Sequence, residues 1–206
     1  MMEPILMDYV EAYNLLKKNG INAAEARYVK TYEEAVDFAD GKAIVIKGIS
    51  AKALHKTKSG LVELDVSDND AEERFRALSK KAEKYKPYRI LGQRMAPKGI
   101  EVIVGGRLDD QFGKLILIGL GGIYVEVFKD FALRVCPITR YDAESMIEQL
   151  KSKNVVAADT ASGKMLVDLL MRVSRMLSEN DIKELDLNPI ILHDKGYDAV
   201  DLRVMM

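Results

Sequence analysis

The segment from Glu184 to Val204 constrains the fold more than any other part of the chain. Asp194-Lys195-Gly196 is a turn signal between two runs of alternating character. Side chains alternate across a strand, so Leu185, Leu187, Ile191, Val200, Leu202 and Val204 make a core face. Asp186, Asn188 and Asp201 fall on the other face. Asn188 and Asp201 are equidistant from the middle of the turn, which places them opposite each other with side chains on one side. A hairpin with one apolar face belongs in an antiparallel sheet that has other elements packed on that face.

The rest of the chain repeats this logic. Ala43 to Ile49 and Leu61 to Val66 read as antiparallel partners, with Tyr88 to Gln93 as a further strand. Glu101 to Gly105 pairs with Leu115 to Leu120, and Ile123 to Phe128 with Leu133 to Ile138. Helices interleave. The first runs from Leu6 to Lys18, with Gly20 beyond its end. Thr31 with Glu34, and Thr139 with Asp142, have the spacing of capping boxes. Asp70 to Tyr85 is helical, as is Lys164 to Ser178, whose face carries Leu166, Leu169, Leu170, Val173 and Leu177. Hairpins interleaved with helices predict an α+β class. The break at Met95-Ala96-Pro97-Lys98-Gly99 divides the expectation into an N-terminal lobe, 1–92, and a C-terminal lobe, 93–206.

The formal net charge of −1 argues against nucleic-acid and membrane surfaces, which want a basic excess. No apolar run approaches the ~20 residues needed to span a bilayer, and Met1-Met2-Glu3-Pro4 has no signal-peptide character. Cys136 is the only cysteine, which excludes an intrachain disulfide and fits a reducing cytoplasm.

Lys47 stands inside an apolar strand. A buried ammonium is costly unless it is paired or faces a polar ligand such as phosphate; an ion-paired or snorkelling lysine is the plainer reading. The next loop, Ser50 to Gly60, adds Lys52, His55, Lys56 and Lys58, a cationic set able to close over a polyphosphate or simply a solvated charge run. A neutral imidazole such as His55 is a competent phosphoryl acceptor, whereas His193, beside the final turn, reads as exposed. Asp186, Asn188 and Asp201 are either an all-oxygen set of the kind that shares Mg²⁺ with phosphate oxygens or an ordinary solvated sheet face. Glu126 alternates with Val125 and Val127, and Arg134 with Leu133 and Val135; each is either aimed at a ligand or paired at the surface. Gly119-Leu120-Gly121-Gly122 lacks the third glycine of the dinucleotide fingerprint, and no Walker A pattern occurs.

Taken in order, Lys47, Leu54-His55-Lys56-Thr57-Lys58-Ser59-Gly60, the run Gln93 to Gly105, the run Gly119 to Asp130 and Glu184-Leu185-Asp186-Leu187-Asn188-Pro189 cover nearly the whole chain. Together they make it similar to the beta subunit of ADP-forming acetyl-CoA synthetase, an ATP-grasp protein related to the succinyl-CoA synthetase beta subunit. The resemblance implies an ATP-grasp fold of two α/β lobes with the nucleotide between them. It implies ATP or ADP and Mg²⁺ as cofactors. Lys47 would contact the nucleotide phosphates, and Gln93, Arg94 and Met95 would hold adenine. Glu101 would bind ribose, and Asn188 and Asp201, with Asp186 close by, would hold the metal. His55 would carry phosphate between the nucleotide and a CoA-binding alpha subunit in a hetero-oligomer. Another ATP-grasp carboxylate ligase, a succinyl-CoA-synthetase-like subunit and a non-catalytic nucleotide-binding module are the alternatives; His55 is superfluous to the carboxylate ligase, and Lys47, Asn188 and Asp201 argue against the non-catalytic module.

Overall fold

The computed structural model describes residues 4–53, 59–121 and 130–206. The chain divides into two units, residues 24–95 and residues 1–23 with 96–206.

The unit 24–95 is a four-stranded antiparallel sheet with two helices on one face. Its strands are β1 (Ala26–Val29), β2 (Ile44–Ile49), β3 (Val62–Val66) and β4 (Arg89–Arg94), in the order β1-β4-β2-β3. Helix α2 (Tyr32–Ala39) follows β1, and α3 (Ala71–Ala82) follows β3. Phe38, Ile44, Ile46, Leu61, Phe75 and Leu78 are buried together between helices and sheet. Thr31 caps α2 by accepting from Glu34 N at 3.3 Å. The Glu34 carboxylate takes the Lys30 N–H at 2.8 Å, one residue earlier than a capping box predicts.

In the other unit, α1 (Tyr9–Lys18) precedes the sheet strands β5 (Ile100–Asp109), β6 (Gly113–Leu120) and β7 (Phe131–Val135). Helices α4 (Arg140–Gln149), α5 (Lys153–Val156) and α6 (Thr160–Glu179) come next, then β8 (Glu184–His193), β9 (Gly196–Ala199) and β10 (Leu202–Met205). The sheet order is β10-β8-β5-β6-β7, with β9 also paired to β8. The expected capping box of α4 is present in both directions between Thr139 and Asp142. Leu166, Leu169, Leu170, Val173 and Leu177 on α6 are fully buried, as their spacing requires. Gly106 on β5 lets α6 approach: a Cβ there would lie 2.5 Å from Leu177 Cδ1 and 2.9 Å from Leu115 O.

The division differs from 1–92 and 93–206 because the first residues are tied to the last strands. Ile5 and Met206 exchange backbone hydrogen bonds, Met7 N donates to Val204 O, and Ala199 N donates to Asn22 O. Strand β7 pairs with β6; the expected strand Ile123 to Phe128 lies outside the described residues. Among the described residues, no helix is long and apolar enough to cross a membrane.

Candidate functional site

In the unit 24–95, alternation along β2 sends Ile44 and Ile46 into the helix-covered core and Val45 and Lys47 to the opposite face. Val45 lies opposite Gln93 on β4, and Lys47 opposite Leu91, so Lys47 and Gln93 are diagonal neighbours on that face. Both are buried, at 5% and 1% exposure. Arg94, one residue on, turns the other way. Its Nη1 donates to Ala39 O, the last residue of α2, at 2.6 Å, and its guanidinium lies 4.7 Å over the Phe38 ring. The side chain therefore serves as a cap for α2, and the Arg94 N–H donates to Glu25 O at 2.9 Å. Met95 is exposed.

Strand β8 contains a bulge. Val102 of β5 pairs with Ile190, but Val104 pairs with Leu187, so Asn188 and Pro189 together oppose Ile103. The bulge inverts the pleat. Leu185 and Leu187 are buried before it, Ile190 and Leu192 after it. Ile191 and Val200, expected in the core, are only half-buried, and Ile190 and Ala199 take those places. The closing strand is interrupted at the same level, between β9 and β10. Asn188 and Asp201 meet there as their spacing predicts, with Asn188 N donating to Asp201 O at 3.2 Å and Val200 N to Pro189 O at 3.1 Å. Asp201 Oδ1 accepts from Leu202 N at 3.1 Å.

Asp186 lies opposite Gly105 on β5 and opposite Arg203 on β10. Glu101 lies opposite Ile191 and is exposed. Since Val102 and Val104 are in the core, Glu101 and Gly105 belong to the face away from α6, and Asp186 with them. The site residues of this unit thus share one side of one sheet. Among the described residues no three His, Cys, Asp or Glu side chains converge into a metal-holding group. Asn188, Asp201 and Asp186 lie on one face and could supply a few oxygens to a cation. That suits Mg²⁺, which keeps few protein ligands and fills its octahedron with phosphate and water oxygens.

His55 and Glu126 lie outside the described residues. The described stems of the His55 loop are anchored: Ala53 and Leu61 are in the core, and Ser50 Oγ donates to Tyr85 O at 2.5 Å. A hydrogen bond from Ser59 holds the Tyr85 hydroxyl below its ordinary pKa. His193 is not free in solvent, as its place beside the turn suggested. Its Nδ1 accepts from Lys195 N at 3.2 Å, so Nε2 carries the proton and faces Asp198 Oδ2 at 3.1 Å. Arg134 is occupied by Ser145 Oγ at 3.0 Å and Gln149 Oε1 at 3.1 Å on α4, which settles it as a surface pairing. Sequence reasoning passed over Asp130, which reads as a turn residue but is buried and accepts from Lys151 N and Ser152 N at 2.8 and 2.9 Å.

The family description that matches this chain is the ATP-grasp domain, over residues 5–206. The chain belongs to the ATP-grasp family. Within that family it is similar to the beta subunit of ADP-forming acetate–CoA ligase I of Pyrococcus furiosus, at 37% identity over 95% of this chain and 90% of that one. It is 35% identical to ADP-forming acetate–CoA ligase I of Archaeoglobus fulgidus, again over 95% of this chain but only 30% of that one. Among solved structures, the dinucleotide-forming acetyl-coenzyme A synthetase 1 of Ca. Korarchaeum cryptofilum, in complex with coenzyme A, Ca-AMPCP and HgCl⁺, superposes with a TM-score of 0.89 at 33% identity, covering 98% of this chain and 93% of that one. The same synthetase with coenzyme A and Mg-AMPPCP, its phosphohistidine segment pointing towards the nucleotide site, matches at 0.82 and 32%, over 98% and 92% of the two chains. The sheets described above are thus those of an ATP-grasp protein.

Proposed function

We propose that this ATP-grasp chain is the nucleotide-binding beta subunit of an ADP-forming acyl-CoA synthetase of the acetyl-CoA type. It passes a phosphoryl group between ADP/ATP and a phosphohistidine at His55. A CoA-binding alpha subunit couples this to the conversion of acyl-CoA and inorganic phosphate into carboxylate and CoA. The observation that carries the reading is the meeting of Asn188 and Asp201 at the β8 bulge, on the sheet that also presents Glu101. In this reading Lys47 contacts the phosphates, Gln93 with the backbone of Arg94 and Met95 holds the adenine, and Glu101 holds the ribose. Asn188, Asp201 and Asp186 would hold Mg²⁺, which when bound supplies charge neutralisation at the phosphates. Burial of Lys47 strengthens its attraction for a polyphosphate by removing competing water. The half-buried Cys136, the chain's one thiol, fits a reducing cytoplasm.

The metal assignment supplies the test. Calorimetric titration of Mg·ADP into Asp201→Ala is expected to show binding weakened by roughly 1–3 kcal/mol, since loss of an anionic ligand leaves the cation poorly compensated. Lys195→Ala, an exposed turn position of the same hairpin, is expected to titrate like the parent chain. Identical curves for the two variants would remove the metal site from this hairpin.

A further inference from the structure

The face that presents Glu101 and Asp186 also carries Arg203. Leu202 and Val204 on either side of it are buried in the core, so its side chain emerges beside its cross-strand partner Asp186. Arg203 Nη1 is 3.5 Å from the Glu184 carboxylate, which steadies one arm of the guanidinium. Its Nε is buried and has no acceptor among the described residues. A buried guanidinium N–H without an acceptor is costly and rare, and asks for an explanation.

The order of groups along the sheet supplies one. Read along β5, Glu101 lies at the level of Ile191, Ile103 at the level of Asn188 and Pro189, and Gly105 at the level of Asp186. At a strand rise of ~3.3 Å per residue, Glu101 and Gly105 are about 13 Å apart. The sequence along the face is therefore a carboxylate, then the amide–carboxylate pair, then Asp186 with Arg203 beside it. Gly105 contributes no side chain at that end. On the proposed reading, a nucleotide with its ribose at Glu101 and its phosphates near Asn188 and Asp201 would extend along the face towards the level of Arg203.

We propose that Arg203 binds the phosphoryl group in transit, its Nε–H donating to an anionic oxygen of the terminal phosphate of a nucleoside triphosphate. Guanidinium stays ionised, presents donors in a rigid fork and is the side chain best matched to phosphate oxygens. This rests on the nucleotide-binding reading above and adds to it a group that distinguishes triphosphate from diphosphate.

The test compares Mg·ADP with the Mg²⁺ complex of AMPPCP, the β,γ-methylene analogue of ATP, titrated calorimetrically into the whole chain, Arg203→Gln and Arg203→Lys. In Arg203→Gln the Kd for Mg·ADP is expected to stay within about twofold, while that for Mg·AMPPCP rises roughly tenfold or more, the worth of one charge-assisted hydrogen bond. Arg203→Lys keeps the charge without the fork, and recovers part of that loss. Should the glutamine variant fail to fold, the same ratio is read from the lysine variant. An unchanged ratio between the two nucleotides, whether both weaken or neither does, overturns the inference. If the parent chain takes up neither nucleotide, the nucleotide-binding reading itself fails and this inference falls with it.

Discussion

Burial opposes the ionisation of Asp130, yet hydrogen bonds from Ser152 and Lys151 outweigh it and hold the carboxyl below its usual range. At 8% exposure, it ties the start of β7 to the entrance of α5. Asparagine at this position has one acceptor oxygen for two N–H donors and turns an amide donor towards one of them. Asp130→Asn is expected to cost about 1.5–3 kcal/mol at pH 7, the range for hydrogen bonds to a charged group. The sign of the pH effect follows from the lowered pKa. Stabilisation by a carboxyl of depressed pKa is complete well above the unfolded value, about 3.9, and is lost as pH falls through the folded value. The stability gap between parent and variant, followed by circular dichroism in urea, is therefore expected to narrow between pH 7 and pH 3. A gap that stays constant would show that the charge of Asp130 is not what holds the α5 entrance. Residues of this kind are hard to read in advance, because their partners lie far along the chain. Lys47 was legible as an ionisable group in an apolar run. The capping role of Arg94 was not, since Ala39 O and Phe38 come from a different element.

At the scale of elements, the hairpin alternation was legible at Leu185 and Leu187 and again at Leu202 and Val204, and misled between them, at Ile191 and Val200. Ile190 and Ile191 are both apolar, so either could be the buried one; the choice is made by a bulge that exists only relative to β5. A strand's own pattern does not contain its neighbour's register. Pro189, with no N–H to give a ladder, was the one local mark of the interruption. The apolar face of α6, by contrast, was fully legible, because helix periodicity is local. Its contact with the sheet depends on Gly106. Gly106→Ala is expected to destabilise by about 1–3 kcal/mol, since the new methyl meets both Leu177 Cδ1 and the backbone oxygen of Leu115. Leu177→Ala alone opens a cavity and is expected to cost about 2–5 kcal/mol. The two contacts share one space, so the double variant in urea unfolding is expected to lose less than the sum of the single losses. Strict additivity would mean that Gly106 is kept for its approach to Leu115 alone. The lobe boundary shows the same limit at longer range. The pattern of α1 says which side is apolar but not which sheet receives it, and the ties between residues 5–7 and 204–206 span the chain.

For the whole molecule, the relevant fact is how much of each relative the chain spans. It spans 30% of the length of the ligase of Archaeoglobus fulgidus it resembles, but 90% of the Pyrococcus furiosus beta subunit. On the proposed reading, the acyl and CoA chemistry belongs to a partner, and this chain alone should bind Mg·ADP without turning over acyl-CoA. The link between the two halves is His55, whose assignment rests on its place among Lys52, Lys56 and Lys58 and on the family match. Phosphoryl transfer requires the acceptor nitrogen in line with the leaving oxygen at near-attack distance. A covalent phosphohistidine satisfies that condition once at the nucleotide and once at the partner's site, splitting one transfer into two. The neighbouring lysines would offset the charge of the bound phosphate. The expected outcome is that γ-labelled ATP marks His55 in the complex with the alpha subunit, with a label that is acid-labile and alkali-stable as a phosphoramidate. His55→Ala should lose the label and the overall turnover while keeping its affinity for Mg·ADP, because Lys47, Glu101 and the hairpin oxygens are untouched. Undiminished turnover of His55→Ala in that complex would mean that the phosphoryl group travels by another route, and synthesis of acyl-CoA by this chain alone would mean that it needs no partner.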